Sequence, residues 1–268
     1  MDHLLRDIAP IPSVAWQRID EEARERLVPL LAARRVVDWS GGGGWERSAV
    51  SLGRTADVPT PPGSNGGVQT RQRRVLTLTE IRVPFTVDRR EIADAQRGAR
   101  DLEFDDLFRA ARQAAETENR AVFHGWPDAG IVGIMQASPA PNIKLGEDMD
   151  SYPGVVTAAV ERLRLAGVEG PYALCVGPDI HGRILQASED GHLLLDHIGR
   201  ILGGSVIWTP GLDGAVVLSQ RGGDFTLSVG QDLSIGYLDH DADTVNLYLE
   251  ESFTFQTEEP DAAIALTT

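Results

Sequence analysis

RGGDFTLSVGQDLSIGYLDHDADTVNLYLEESFTFQ, residues 221–256, is the stretch that decides the fold of this chain. From residue 245 to residue 256, apolar and polar side chains alternate with a period of two, which predicts a long strand with one buried face. Glu251 interrupts that buried face. We therefore expect it either near a sheet edge or against a positively charged partner such as an arginine.

The residues just before this strand predict a second strand and an unusual connection. Residues 224–229 read as a strand that follows a turn at Gly222 and Gly223. Residues 230–237 carry aliphatic and aromatic side chains between two glycines. Connections of this kind are typical of fixed surfaces that receive a ligand or partner.

The bulk composition limits the possible classes of protein. The chain has 268 residues, 42% of them hydrophobic, which is enough for one large or two modest globular domains. Its formal net charge of −15 argues against a nucleic-acid binder, because such proteins neutralise phosphates. The single Cys175 excludes an internal disulfide framework and a cysteine-based zinc site. We see no leader peptide and no run of eighteen apolar residues, so we expect a soluble cytoplasmic protein without a membrane partner.

The first half of the chain predicts a helix, an arm and a long strand. An amphipathic helix is expected from Ser13, with a kink or break near Val28 because Pro29 lies inside it, and residues 35–37 look strand-like. Residues 47–74 suggest a two-stranded arm with a tip rich in proline and glycine. Such an arm has no core of its own and should pack on a neighbouring subunit. Residues 75–87 predict a second long strand.

The middle of the chain predicts two helices and then an inserted α/β domain. Asp88 with Glu91 resembles a capping box for a helix that ends at Gly98, and residues 105–124 predict the longest helix, with an alanine-rich apolar stripe. Residues 130–220 read as an α/β domain inserted into a domain made from both ends of the chain.

We find no convincing catalytic, cofactor or metal site. The most tempting pattern places Asp239, Asp241, Asp243 and Glu250 at positions 1, 3, 5 and 12 of a calcium loop. However, Thr244 stands where the loop needs glycine, and a strand rather than a helix follows, so an acidic turn is the better interpretation. The glycine run at 41–44 is not followed by the lysine and the serine or threonine of a phosphate-binding loop. It therefore predicts a flexible turn.

Several motifs along the whole chain are similar to those of encapsulins. They are LRDIAP (5–10), VPFTV (83–87), VFHG (122–125), AGVEGPY (166–172), GQDLSIGY (230–237) and ESFTF (251–255). The resemblance implies an α+β chain with the tailed-phage major capsid protein fold of the Hong Kong 97-like type. In that fold, residues 1–46, 75–129 and 221–268 would form the peripheral domain, 47–74 the extended loop and 130–220 the axial domain.

The resemblance also implies a function and partners. Encapsulins form closed icosahedral shells of sixty copies, or a multiple, in the bacterial cytoplasm. They enclose cargo enzymes, typically ferritin-like iron-oxidising proteins or dye-decolourising peroxidases, which connects them with iron storage and oxidative stress. The cargo carries a C-terminal targeting peptide. The shell protein itself would be no enzyme and would need no cofactor.

Two sites carry over onto matching positions of this sequence. The cargo peptide would dock between the N-terminal helix and the closing part of the peripheral domain, on Leu27, Leu31, Arg34, Asp38, Ile235 and Tyr237. For Leu27 and Leu31, plain helix core is an equally good interpretation. The pore loop at the five-fold axis would be Ser188, Glu189, Asp190, Gly191 and His192, whose carboxylates would favour cations.

Two other functions stay open on the sequence. A prophage major capsid protein is disfavoured by the charge of −15 and by the absence of lysine from residues 47–74, since some phage shells cross-link through lysine. Proteins of this family have also been labelled proteases or bacteriocins, but no catalytic motif supports that alternative.

Overall fold

The computed structural model describes residues 3–64, 67–139, 141–146, 148–189 and 192–267. The α-helices are α1 (Ser13–Leu30), α2 (Arg89–Arg97), α3 (Asp105–His124), α4 (Ile134–Ala137), α5 (Tyr152–Leu165), α6 (Pro178–Gln186) and α7 (Leu194–Leu202). The strands are β1 (Asp38–Ser40), β2 (Ala49–Asp57), β3 (Arg71–Thr77), β4 (Thr79–Asp88), β5 (Ile143–Lys144), β6 (Tyr172–Val176), β7 (Ser188–Glu189), β8 (His192–Leu193), β9 (Val206–Trp208), β10 (Ala215–Ser219), β11 (Phe225–Val229), β12 (Ser234–His240), β13 (Thr244–Thr257) and β14 (Ala263–Thr267).

The predicted closing strand, β13, is the centre of the first sheet. It pairs with β12 through its first half and with β11 through its second half, while β4 pairs along its other side. Glu251 therefore lies in the middle of the sheet and is fully buried. Of the two expectations for this residue, the positively charged partner is confirmed, because Arg34 contacts its carboxylate.

Helices α1, α2 and α3 cover one face of this sheet. The apolar side chains of β4, β12 and β13 pack with α1 and with the alanine stripe of α3 in one core cluster. The predicted helix over 105–124 and its stripe are confirmed. Asp88 caps α2 as expected by accepting the N–H of Arg90, and α2 ends before Gly98, which has a positive φ of 93°.

The predicted arm is confirmed as an exposed two-stranded sheet of β2 and β3. The single strand predicted over 75–87 is instead divided at Leu78 between β3 in the arm and β4 in the first sheet. The N–H of Leu78 donates to the carbonyl of Ser48 at the base of the arm. The alternating pattern continues across this junction, so the sequence shows no break there.

A second sheet has the order β5-β14-β10-β6-β9, with α5 and α7 packed against it. The prediction of a buried strand over 172–176 is confirmed. Strand β14 differs from expectation. Residues 263–267 lie in this second sheet, between β5 and β10. We expected all of 221–268 in the peripheral domain, together with the strands of the first sheet. The short apolar run of β14 carries no signal of which sheet it joins.

The structure corrects two expectations near the end of α1, a break of the helix near Val28 and a strand over residues 35–37. The chain stays helical through Pro29 and α1 ends at Leu30, so no break occurs at Val28. Pro29 has no N–H to donate to Glu25 and its ring crowds that carbonyl, and the helix ends one residue later, at Leu30. Residues 33–35 form a 3₁₀ turn, and the strand begins only at Asp38. Across the described part of the chain, no helix combines the length and apolarity that crossing a membrane requires.

Candidate functional site

A groove of about 470 Å³ lies beside the C-terminal half of α1. Its walls come from α1, from the N-terminal segment and from the loop and strand at 232–235. It is lined by Leu4, Arg6, Asp20, Ala23, Arg24, Leu27, Val28, Leu31, Arg34, Asp232, Leu233, Ser234, Ile235 and Leu249. Four of the six predicted docking residues therefore meet here: Leu27, Leu31, Arg34 and Ile235.

The floor of the groove is apolar because α1 presents residues at helical spacing. Ala23, Leu27 and Leu31 recur every four residues and so fall on one face of the helix. Leu27 and Leu31 are only 7% and 8% exposed, and they pack in the same core cluster as Ile235 and Leu249. Each leucine lines the groove and also belongs to the helix core, so the core interpretation is confirmed and the docking role stays a prediction. Val28, at 61% exposed, is the most open apolar side chain of this wall.

The outer edge of β12 forms the opposite wall. The N–H of Tyr237 points away from β13 and donates to the carbonyl of Leu4 at 2.9 Å. In an antiparallel ladder, residues two apart direct their backbone groups to the same side. The N–H and C=O of Ile235 therefore point outward as well, towards the groove. The groove combines apolar side chains with an open strand edge.

Arg34 is the charged centre of the site, and three carboxylates hold it. Its Nε and Nη2 donate to Glu118 at 2.8 and 2.7 Å, its Nη2 to Glu251 at 2.5 Å, and its Nη1 to Asp232 at 2.9 Å. Burial disfavours the charged guanidinium, but the attraction of Glu118 and Glu251 outweighs burial and raises the pKa of Arg34 above its ordinary value. The charge of Arg34 is therefore largely neutralised within the protein.

The two glutamates behind Arg34 are deeply buried. Glu118 on α3 and Glu251 on β13 are both 0% exposed. Burial, together with the neighbouring Glu118, raises the pKa of Glu251 well above the ordinary glutamate value. The interruption of the strand pattern points to Glu251, but no pattern in the sequence points to Glu118, which lies inside a helix.

Asp38 and Tyr237 do not line the groove. Asp38 is exposed at the start of β1 and accepts the N–H of Gly223, so it anchors the glycine turn before β11. Tyr237 is 7% exposed, and its hydroxyl is hydrogen-bonded to Nδ1 of His240 at 2.5 Å. Sequence reasoning missed the N-terminal residues Leu4 and Arg6, because nothing in the sequence indicates that this segment folds back onto β12.

The predicted pore loop is only partly described. Asp190 and Gly191 lie outside the described residues. The backbone on either side forms a short antiparallel pair, in which Ser188 opposes Leu193 and Glu189 opposes His192.

The calcium-like pattern is an acidic turn, as interpreted from the sequence. Oδ1 of Asp241 accepts the backbone N–H groups of Asp243 and Thr244 at 2.8 and 2.7 Å. Glu250 lies instead in the sheet interior, where it pairs with Arg82. Within the described ranges, no group of three or more His, Cys, Asp or Glu side chains is arranged to hold a metal ion.

Comparison with known proteins identifies the family. The family described as "Encapsulating protein for peroxidase" matches residues 1–254. The type 1 encapsulin shell protein of Rhodospirillum rubrum is 47% identical over 270 residues, which cover 99% of this chain and 96% of that protein.

Solved structures identify the fold. The virus-like particle of Pyrococcus furiosus aligns with a TM-score of 0.60 at 16% identity, covering 92% of this chain and 98% of that one. The capsid of an empty GTA particle gives a TM-score of 0.55 at 13% identity, covering 88% and 96%. The chain therefore belongs to the encapsulin family of shell proteins, and it is a structural protein with the Hong Kong 97-like tailed-phage capsid fold rather than an enzyme.

Proposed function

We propose that this chain assembles into a closed icosahedral shell of sixty copies, or a multiple, in the bacterial cytoplasm and encloses a cargo enzyme. Membership of the encapsulin family and the capsid fold support this proposal. The groove beside α1 would be the dock for the C-terminal targeting peptide of the cargo.

The observation that carries the docking proposal is the pairing of an apolar floor with an open strand edge. An extended peptide could add its backbone to the edge of β12 at Ile235 while its alternate side chains reach Leu27, Leu31 and Leu233. Strand addition of this kind supplies affinity through the backbone, and the apolar floor selects aliphatic side chains. Asp38 and Tyr237 would support the groove from outside it.

The cargo would be a dye-decolourising peroxidase or a ferritin-like iron-oxidising protein. The family description names a peroxidase, which favours the first. The loop at 188–192 would line the pore at the five-fold axis, and its two carboxyl groups, repeated around the axis, would favour entry of cations.

The arm of β2 and β3 would hold neighbouring subunits together. None of the side chains of β2 and β3 is buried and most are exposed, so the arm lacks a core within its own subunit. Residues 47–77 carry five arginines and one carboxylate in a chain whose net charge is −15. A basic arm fits the acidic surface of a second copy.

The experiment compares two matched substitutions in cells that also produce the cargo. Val28→Asp places a charge in the groove at a side chain that is 61% exposed, so the fold should tolerate it. Val14→Asp makes the same change on the same helix, at a side chain that is 52% exposed and does not line the groove. We expect hollow particles by negative-stain microscopy from both variants, with cargo lost only from Val28→Asp. Small oligomers from the unmutated protein would refute the shell, and cargo retained by Val28→Asp would refute the dock.

A further inference from the structure

Two carboxyl groups meet in the interior of the subunit, behind the wall of the groove. Glu118 comes from α3 and Glu251 from the centre of the first sheet, and both carboxyl groups contact the same nitrogen, Nη2 of Arg34, at 2.7 and 2.5 Å. Two ionised carboxylates are both acceptors and repel each other. A proton held by one of the two acids relieves that repulsion and leaves one negative charge beside Arg34.

The hydrogen bonds of the two carboxyl groups indicate where this proton sits. Oε2 of Glu118 and Oε1 of Glu251 accept from Arg34. The two remaining oxygens, Oε1 of Glu118 and Oε2 of Glu251, are buried and have no partner in the structure. Buried polar atoms are rarely left unsatisfied. A proton held on one of these two oxygens would give the pair the donor that neither ionised carboxylate has.

No neighbouring group replaces that proton. The charged groups that face the pair are Arg34, from the segment after α1, and Asp232, from the loop between β11 and β12. Each of the three nitrogens of Arg34 already donates to a carboxylate. The nearby amide of Asn119 is also engaged, because its nitrogen donates to the carbonyls of Leu30 and Pro210.

We propose that Glu118 and Glu251 share one proton at neutral pH, so that the pair carries a single negative charge that balances Arg34. Loss of this proton would place a second negative charge in the interior, directly behind the groove residues Arg34 and Asp232. The proposal concerns the folded subunit and does not depend on the identity of the cargo.

The shared proton makes stability depend on pH in a definite direction. In the unfolded chain both glutamates lose their protons near the ordinary value, whereas the raised pKa of Glu251 lets the folded state retain one. The stabilisation is thus complete below the ordinary glutamate pKa, and it is lost as the pH rises towards the pKa of the folded pair. Across that window this pair lowers the folding equilibrium constant by about tenfold for each pH unit.

The test uses glutamine as a permanent mimic of the protonated acid. In Glu251→Gln, the amide can donate to Glu118 while its oxygen still accepts from Arg34, and Glu118→Gln is the reciprocal change. Glu116→Gln removes a charge from the same helix at a partly exposed position and serves as the matched control. The unfolding midpoint of the purified protein, in its native assembly, is measured from pH 5 to pH 10.

We expect the midpoint of either single variant to fall less steeply with rising pH than that of the wild type and of Glu116→Gln. The double variant Glu118→Gln/Glu251→Gln should be less stable than both single variants, because only Asp232 then remains to balance Arg34. Parallel pH curves for the wild type and Glu251→Gln would overturn the proposal.

A second measurement does not require the variants to be equally stable. Infrared spectroscopy of the wild type at pH 7 should show the carbonyl stretch of a protonated carboxylic acid, and this band should disappear in deuterated buffer at high pH. Burial also raises the pKa of Glu258, so the band is recorded in Glu258→Gln as well. A wild-type spectrum without the band, or a band removed entirely by Glu258→Gln, would contradict the shared proton.

Discussion

At the scale of single residues, Arg34 has two roles that the sequence could not separate. The family resemblance makes it a docking residue, and on that basis Arg34→Glu should leave shells intact but empty. In the structure it also holds two fully buried glutamates. We therefore expect Arg34→Glu to destabilise the subunit by about 3–5 kcal/mol, because it breaks a buried ion pair and leaves its acids unbalanced.

Chemical denaturation measures this change. Arg24→Glu is the matched control, because Arg24 lines the same groove but is exposed, so that it should alter the charge of the groove with little loss of stability. If Arg34→Glu unfolds at the same denaturant concentration as Arg24→Glu, the ion pairs of Arg34 with Glu118 and Glu251 contribute less to stability than their burial indicates.

The parts of the candidate site that lie in regular helices and strands were the most predictable from the sequence. Helix periodicity places Leu27 and Leu31 on the apolar face of α1, whereas their docking role and that of Ile235 come from the family resemblance. The need of Glu251 for a positive partner followed from its interruption of the strand pattern. Asp38 follows the 3₁₀ turn at 33–35 and lies outside the groove, where it accepts the N–H of Gly223. Glu118 lies 84 residues from Arg34, and a single sequence contains no signal for a contact at that distance.

At the scale of elements, β12 needs a glycine at position 236, because the ring of Tyr248 on β13 covers that position. A side chain on Gly236 would collide with the ring of Tyr248, which lies opposite it on β13. We expect Gly236→Ala to lower the free energy of unfolding by about 1–3 kcal/mol, because the strand pair would be overpacked.

Gly154→Ala is the matched control for this prediction. Gly154 lies in the first turns of α5, and a Cβ added there meets no atom within 4 Å. Helix propensity even favours alanine at that position. Equal unfolding midpoints for the two alanine variants would show that Tyr248 can move aside.

The end of α3 is joined to the loop before β10 by a histidine that must be neutral. Nε2 of His124 accepts the backbone N–H of Asp213 at 2.9 Å. Burial lowers the pKa of His124, with a smaller opposing effect of Asp213. The contribution of this bond is therefore present above the ordinary histidine pKa and is lost as the pH falls through the lowered pKa of the folded state.

Hydrogen exchange, corrected for intrinsic rates, tests this directly. Protection of the Asp213 amide should decrease on acidification. The Leu212 amide, which donates to the carbonyl of Thr209 and not to a histidine, should keep its protection. Constant protection of the Asp213 amide across the pH range would show that the hydrogen bond to His124 does not protect it from exchange.

Most elements were predictable because their patterns are local. Helix α3, strand β6 and the cap of α2 each follow from periodicity or from a capping residue. The division between β3 and β4 was not predictable, because alternation continues through Leu78 while the chain leaves the arm and enters the sheet. Which sheet receives a short apolar strand such as β14 is decided by tertiary contacts alone.

At the scale of the whole molecule, we expect the arm to serve assembly rather than folding. Ser51 and Val75 are paired across the arm, so an Asn-Gly turn can replace residues 52–74 and close the hairpin early. Because the removed side chains are mostly exposed, we expect the shortened subunit to keep its helix content and both sheets. It should lose the contacts that the arm makes with neighbouring copies.

Light scattering after size exclusion, with circular dichroism as the control for folding, measures both properties. A folded protein of low mass is the expected outcome. Particles of the same mass as the wild type would mean that the arm is dispensable for assembly.

The position of β14 also fixes an order of events during synthesis. This strand lies between β5 and β10, so an inner place in the second sheet stays empty until residues 263–267 have left the ribosome. Until then the nascent chain presents the bare edge of β10, and strand edges of that kind pair readily with other chains. A subunit can therefore complete its second sheet only after residues 263–267 have been translated.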